Sequence, residues 1–376
     1  MSKPSNPFIT SGYAGAEYFC DREEESRELI NHIKNGDNIT LVATRRMGKT
    51  GLIEHCFSQK EIARTHYTFF IDIYATRSLR DMIFAMSKEI VRGLKPFGTK
   101  AIGLFIQTVR SLKAGVSFDS KGTPQFNLQL GEINNPEATL DEIFSYLESA
   151  NKPCIVAIDE FQQVASYPEK NVEALLRTHI QRCRNARFIF AGSQAHIMGI
   201  IFLSAARPFY QSTAMMHLNS ISLPLYTAFA RRHFKRADKQ IKAETVEAVY
   251  RLFGGVTWYV QKMLNQLYVT TVQGDTCGVE MVAPALQSII DSYKYTYSEI
   301  LFRLPEKQKE LLLAIAQEPE ARAVTSGEFI AKYSLSSASS VQSALKGLAE
   351  KDFVVRTGDS YRIYDNFFAI WLKENY

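Results

Sequence analysis

The sequence predicts an α/β chain: a parallel sheet covered by helices, then an all-helical stretch, then a small module of three helices and a hairpin. Three observations carry this. Short apolar runs recur at "ITLVA" (39–43), "YTFFIDIY" (67–74), "CIVAID" (154–159) and "RFIFAG" (187–192), as in strands covered on both faces. Helical patterns fill the intervals between them. After about Ser222 the strand-like runs stop, and they return only as two short ones flanking Gly358.

The bulk properties bound the reading. A chain of 376 residues exceeds one compact core and suits two or three domains. A hydrophobic content of 46% with 22% charged residues is ordinary for a globular protein. The net charge of +5 permits an anionic partner without demanding one. The 5 cysteines show no CxxC spacing, which reads as buried free thiols in a reducing compartment. The 7 histidines show no HxxxH spacing, so no zinc site is expected. No apolar run reaches the roughly 18 residues of a membrane helix. The N-terminus lacks a signal-peptide apolar core, so no membrane partner and a cytoplasmic location are expected.

Taken in order, the first strand at 39–43 leads into a loop and a helix with Leu52, Ile53, Cys56 and Phe57 on one side. Ser78 followed by Asp81 starts a helix that runs to about Leu94. The segment "VSFDSKGTPQFNLQL" (116–130) alternates apolar and polar residues about Lys121-Gly122. It reads as a hairpin inserted into the sheet domain, with Val116 and Phe118 on one face and Phe126, Leu128 and Leu130 together. Residues 223–291 read as all helical, broken at "FGG" (253–255). From near Leu304 come helices at 306–317, 326–333 and 337–352, then strands at 353–357 and 360–364. That is the winged-helix order.

The chemistry concentrates at three strand ends. In "ATRRMGKTG" the loop residues Ala43, Thr44, Arg45, Arg46, Met47 and Gly48, with Lys49, Thr50 and Gly51, form a candidate phosphate cradle. Backbone N–H groups of such a loop and the following helix N-terminus attract anions. Gly48 permits close approach, Lys49 would reach the β- and γ-phosphates, and the Thr50 hydroxyl would ligate Mg²⁺. In "CIVAIDEF" a strand ends in Asp159-Glu160, on the sheet edge where open α/β sheets bind ligands. Asp159 would hold Mg²⁺ through water, and Glu160 would act as general base on the attacking water. In "FIFAGSQ" a strand ends beside Ser193 and Gln194, either of which could sense the γ-phosphate or serve merely as a turn polar group. Arg207, in "SAARPFY", is a candidate complement to phosphate charge, within the chain or across a subunit boundary, against the reading of an ordinary surface arginine.

Together "TRRMGKT", "AIDEF", "FAGS", "GGVTWYV" and "YRIYDNFFAIWL" resemble the archaeal-type ATPase family, a branch of the P-loop NTPases close to the AAA+ and STAND groups. The lead-in "FCDREEESREL" (19–29) is similar to that family's stretch near the adenine pocket. The resemblance implies a P-loop ATPase core at 1–221 with the hairpin insertion near 116–130, a helical lid at 222–300 and a winged-helix domain at 301–376. It implies ATP/ADP and Mg²⁺ as ligands. By position it makes Gly48, Lys49 and Thr50 the phosphate and metal binders, Arg45 and Arg46 the family's paired arginines, and Asp159 and Glu160 its acidic pair. Two positions depart from the family pattern: Ala43 stands where glycine usually opens the loop, and Thr257 where the lid usually has proline.

The expectation is therefore a slow, Mg²⁺-dependent ATPase acting as a nucleotide-driven switch, with a protein partner or self-association open. The alternative is a nucleotide-binding, winged-helix DNA-binding regulator with little or no hydrolysis. The would-be recognition face (Ser336, Ser337, Ser339, Ser340, Gln342, Ser343, Lys346) is poor in arginine and lysine, which argues against DNA. The basic cluster "ARRHFKRADK" (230–239) reads as the solvated face of a helix with Phe229 and Phe234 turned inward.

Overall fold

The structure is a computed structural model that describes residues 4–111, 116–118, 124–126 and 133–376. In chain order the first half contains α1 (Glu23–Asn35), β1 (Ile39–Val42), α2 (Lys49–Ser58), α3 (Lys60–Ala63), β2 (Tyr67–Asp72), α4 (Leu79–Leu94), α5 (Thr99–Thr108), β3 (Val116–Phe118), β4 (Pro124–Phe126) and α6 (Pro136–Ser149). β5 (Cys154–Asp159), α7 (Val172–Arg182), β6 (Ala186–Gly192), α8 (Ala195–Leu203), β7 (Ala214–His217) and α9 (Leu223–Arg236) follow. Then come β8 (Gln240–Ile241), α10 (Ala243–Leu252), α11 (Thr257–Thr270), β9 (Thr276–Cys277) and α12 (Val282–Arg303). The chain closes with α13 (Glu306–Gln317), β10 (Ala321–Arg322), α14 (Gly327–Lys332), α15 (Ala338–Glu350), β11 (Val354–Thr357), β12 (Ser360–Ile363) and α16 (Asn366–Asn375). Two compact units result, one of Met1–His233 with Gly254–Asn265, the other of Phe234–Phe253 with Gln266–Tyr376.

The first unit is built on a five-stranded sheet of order β2-β5-β6-β1-β7, parallel at every pairing. Both faces are covered, and the strands divide their side chains accordingly. Val156 and Ile158 of β5, with Phe188 and Phe190 of β6, join one core cluster under α4, α6 and α7. Ile155, Ala157, Ile189 and Ala191 join the opposite one, with Leu29 of α1 and Leu52 of α2. This is why the runs read as continuously apolar, and each fully buried Ile or Phe contributes about 1.5–3 kcal/mol. Helix α4 begins as the sequence predicts, with the Ser78 hydroxyl accepting from Asp81 N at 3.2 Å. The inserted hairpin pairs Val116 with Phe126. Its expected turn at Lys121-Gly122, and Leu128 and Leu130, lie outside the described residues.

Three short pieces of sheet were not legible. β7 is an edge strand of Ala, Met, Met and His, with no β-branched residue to mark it and only Met216 buried. β8 and β9 form a two-residue parallel pair inside the stretch that reads as all helical. β10 adds a third strand to the C-terminal hairpin, in the order β10-β12-β11.

In the second unit α13, α14 and α15 precede the β11–β12 hairpin, and β10 lies between α13 and α14. α15 starts at Ser337, whose hydroxyl accepts from Ser340 N at 3.3 Å. α16 is capped by Asp365, which accepts from Phe367 N at 2.9 Å and Phe368 N at 3.3 Å. Its apolar face then meets Tyr297 of α12, whose ring lies 4.9 Å from Phe368 and 5.8 Å from Trp371. The "DNFFAIWL" stretch is thus a capped helix whose aromatic face packs inside this unit. All five cysteines are buried and unpaired. Among the described residues, no helix is long and apolar enough to cross a membrane.

Candidate functional site

The site forms where β1, β5 and β6 end on one edge of the sheet. β6 lies between β1 and β5, so the loop after β1 and the carboxylates after β5 flank the residue after β6. The loop starts with Ala43 N donating to Gly192 O at 3.3 Å. It then turns through two left-handed residues, Arg46 at φ 69° and Gly48 at φ 91°. Ala43 is not among the positive-φ residues, and its methyl packs in the core with Met47 and Leu52. Glycine's freedom is used at Gly48, where an added Cβ would stand 3.7 Å from Thr257 and in a strained backbone.

Helix α2 places Lys49 and Thr50 in its first turn. Lys49 is 6% exposed, and its Nζ lies 3.5 Å from Ala43 O. Burial pulls the Lys49 amine below its ordinary range, against the attraction of Asp159 and Glu160. Asp159 is equally buried, and desolvation pushes its carboxyl above the ordinary range despite Lys49. The Thr50 hydroxyl donates to Asp159 Oδ2 at 2.9 Å, joining the loop helix to β5. Asp159 Oδ1 accepts from Glu160 N at 3.0 Å.

Glu160 adopts a left-handed backbone, φ 57°, and its carboxylate faces the cavity. Ser193 Oγ donates to Glu160 Oε2 at 2.7 Å, and the Gln162 amide donates to the same oxygen. Arg45 Nε reaches Ser193 Oγ at 3.4 Å. Gln194 is exposed and starts α8, so it is Ser193 that the fold brings to the acidic pair. Arg207 stands elsewhere: it is ion-paired with Glu173 of α7 and does not line the cavity.

The cavity over this edge holds about 380 Å³. Its walls are the loop, Asp159 and Glu160, the segment 9–14 with Tyr18 to Cys20, and Thr257, Trp258 and Gln261. Thr44 is exposed at the loop's outer side. Gly51 lies under the ring of Phe19, where an added Cβ would stand 3.3 Å from Phe19 Cε2. Phe19 in turn stacks on His55 at 4.5 Å.

The arginine pair divides. The Arg46 guanidinium lies 4.2 Å from the Trp258 ring and 4.8 Å from the Tyr259 ring, and Arg46 O accepts from Trp258 N at 3.0 Å. Arg45 points the other way, towards Ser193 and the ring of Tyr74 at 5.5 Å. Met47 O accepts from Thr257 Oγ1 at 3.2 Å and from Arg22 at 3.3 Å. Arg22, Gln162 and Trp258 were not singled out from the sequence. The signals were present: an arginine inside the acidic lead-in, a glutamine right after "DEF", and a tryptophan just past the Gly-Gly break.

Comparison with known proteins gives the family and the fold. A family model described as "ATPase domain predominantly from Archaea" matches residues 19–263, and one described as "Probable winged helix domain" matches residues 295–374. Among solved structures, a Walker-type ATPase of Pyrococcus abyssi is similar with a TM-score of 0.65 at 19% identity, over 98% of this chain and 99% of that one. The ORC2 protein of Aeropyrum pernix, solved as ADPNP–ADP complexes, is similar with a TM-score of 0.59 at 14% identity, over 98% and 95%. The ORC1 protein of Aeropyrum pernix in complex with DNA gives 0.52 at 13%, over 95% and 93%. At these identities the likeness is one of fold. Among curated proteins none matches the chain.

Proposed function

Since the chain belongs to the family of ATPase domains found predominantly in Archaea, we propose that it binds ATP with Mg²⁺ and hydrolyses it slowly, as a nucleotide-driven switch. The observation that carries the reading is the pairing of Thr50 with Asp159 at 2.9 Å beside a buried Lys49. Asp159 and Glu160 place two carboxylates beside the single buried amine of Lys49, which leaves the site short of positive charge. The residues fit a divalent cation: Thr50 and Asp159 would hold it, in the hard-oxygen chemistry that Mg²⁺ prefers. Held there, the cation would supply positive charge to offset that of the phosphates.

The chain's own residues do the rest. The loop from Ala43 to Gly48 and the N-terminus of α2 cradle the phosphates, and Lys49 neutralises them. Glu160 takes the proton of the attacking water. Ser193, beside Glu160, is the reader of the γ-phosphate position, with Arg45 behind it. Arg207 is the candidate to act across a subunit boundary, since it lies away from its own cavity. The switch reading draws on the loop's ties to Thr257 and Trp258 at the start of α11, because a change in the loop has a mechanical route into that helix.

The DNA-binding alternative is less well supported. Four cations of the C-terminal module pair with carboxylates close by: Arg322 with Glu320, Lys332 with Glu318, Lys307 with Glu310, Arg303 with Glu299. The exposed face of α15 offers serines, Gln342 and Lys346. That face carries a single cation, Lys346, to displace counterions from a phosphate backbone, so a protein partner fits it better.

Isothermal titration and phosphate release test the reading. Lys49→Ala should abolish ATP binding, while Glu160→Gln should bind ATP in the presence of Mg²⁺ and turn it over poorly. Parent-like binding by Lys49→Ala would show that the cradle has been misplaced.

A further inference from the structure

Gln162 lies outside the motifs that define the site, yet it touches the group on which hydrolysis depends. It is 6% exposed, in the 3-10 turn Phe161–Ser166 that follows β5. The left-handed backbone of Glu160 folds this turn back, with Gln163 N donating to Glu160 O at 2.9 Å. That reversal returns the Gln162 amide to the Glu160 carboxylate. Its Nε2 donates to Glu160 Oε2 and lies 3.4 Å from Ser193 Oγ.

Chemistry fixes the orientation of the amide. Turned over, it would set a carbonyl oxygen against a carboxylate. In the orientation found, the Gln162 carbonyl is buried and has no hydrogen-bond partner. It is wedged against Gly192, where an added Cβ would stand 2.8 Å from it. Retaining a glutamine with an unsatisfied buried carbonyl is unfavourable for stability, and an apolar side chain of the same length would avoid it. Its donor half is the useful half.

Two donors on one oxygen also have a geometric effect. Ser193 and Gln162 both bond Oε2 of Glu160, a residue that lines the cavity, which restrains the carboxylate and leaves Oε1 outside both bonds. A base held by a locked outer shell meets its proton in one orientation.

We infer that Gln162 is a positioning residue for Glu160: its amide, together with the Ser193 hydroxyl, aims Oε1 of Glu160 at the attacking water. This inference rests on the hydrolytic reading of the site. The two donors act on one oxygen, so their removals are non-additive.

The test is Gln162→Met, which keeps length and apolar bulk and removes the donor. Steady-state hydrolysis should show kcat lowered about 10- to 100-fold, as outer-shell partners of reacting groups give. KM and ATP affinity should stay within about twofold of the parent, since only transition-state positioning is lost. The melting temperature should be equal or higher, because the unpartnered carbonyl is gone. A packing role gives the opposite pattern, with stability and activity falling together. Placed in Glu160→Gln, the same substitution should change nothing further. A parent-like kcat for a folded Gln162→Met overturns the inference while leaving the ATPase reading intact. A parent protein that binds ATP but shows no turnover overturns the hydrolytic reading and this inference with it.

Discussion

Arg46 is where the phosphate loop is most directly tied to the start of α11, and the tie can be measured. Its backbone is left-handed at φ 69°, a conformation that costs a non-glycine residue about 1–2 kcal/mol. What keeps it there is the stack on Trp258 at 4.2 Å and Tyr259 at 4.8 Å, together with the Trp258 N–H on its carbonyl. A cation over an aromatic face contributes about 0.5–1 kcal/mol when exposed and about 2 when desolvated. Arg46 is half-buried and Tyr259 is 2% exposed, so the Arg46–Trp258 pair belongs near the middle, at about 1 kcal/mol.

A double-mutant cycle of Arg46→Ala and Trp258→Leu, read by urea denaturation, should give a coupling of about 1 kcal/mol. Arg46→Gly adds an internal control. It relieves about 1–2 kcal/mol of left-handed strain that Arg46→Ala retains. It also raises unfolded-chain entropy by about 0.5–1 kcal/mol. The glycine variant should therefore be the more stable of the two by about 0.5–1 kcal/mol, the difference of the midpoints of those two ranges being about 0.75. Arg46→Lys keeps the charge, loses the flat stacking surface and should fall between parent and alanine. A coupling below about 0.3 kcal/mol, with alanine more stable than glycine, would mean that the stack does not hold the loop.

Two further expectations follow from burial. Desolvation holds the Asp159 carboxyl above its ordinary range, so its ionisation opposes folding. For a raised carboxyl the native state retains the proton longer, and stability falls as pH rises from the ordinary carboxylate value through the raised native one. Asp159→Asn should flatten that limb of the stability–pH curve, while Mg²⁺-dependent ATP binding is lost; an unchanged curve would count against the buried charge. At Gly93 an added Cβ would stand 2.7 Å from Phe69 Cδ1 and 2.9 Å from the Thr68 carbonyl, so Gly93→Ala should destabilise by about 1–3 kcal/mol. At Gly103, in the open interior of α5, Gly103→Ala should stabilise by about 0.5–1 kcal/mol, and equal effects at the two sites in chemical denaturation would refute the packing argument.

The large elements were legible because burial on two faces leaves a strong trace. β5 runs over the residues its apolar stretch marks, and α4 starts at the serine that caps it. β7, β8, β9 and β10 left little trace: two-residue pairings and a methionine edge carry no period that a sequence can display. At the site, the side chains that the fold gathers on one sheet edge, Lys49, Thr50, Asp159, Glu160 and Ser193, were legible from their types and their order after the strands. Gln162, Arg22 and Trp258 were not, because they act by contact with other side chains. Which side chain meets which is set by a left-handed residue at 160 and by the start of α11, and neither spacing nor composition encodes that. Arg207 illustrates the reverse: its type and place suggested the cavity, while a buried Glu173 holds it elsewhere.

Ala43 and Thr257, the two departures from the family pattern, act on the same loop, one by packing and the other by a hydrogen bond. Ala43 needs no left-handed backbone, and its methyl fills core space that glycine would leave empty. The loop is thereby anchored at its first residue by packing. At its far end a proline in place of Thr257 would supply a rigid turn and no donor. Thr257 supplies a hydroxyl, and that hydroxyl bonds Met47 O, the carbonyl that Arg22 also reaches from the N-terminal segment. A hydrogen bond of this kind contributes about 0.5–1.5 kcal/mol, small enough to be exchanged if the loop moves. A fixed turn has no such alternative state. The substitution replaces stiffness built into α11 with a contact that depends on the conformation of the loop, which is what the proposed switch would require of this joint.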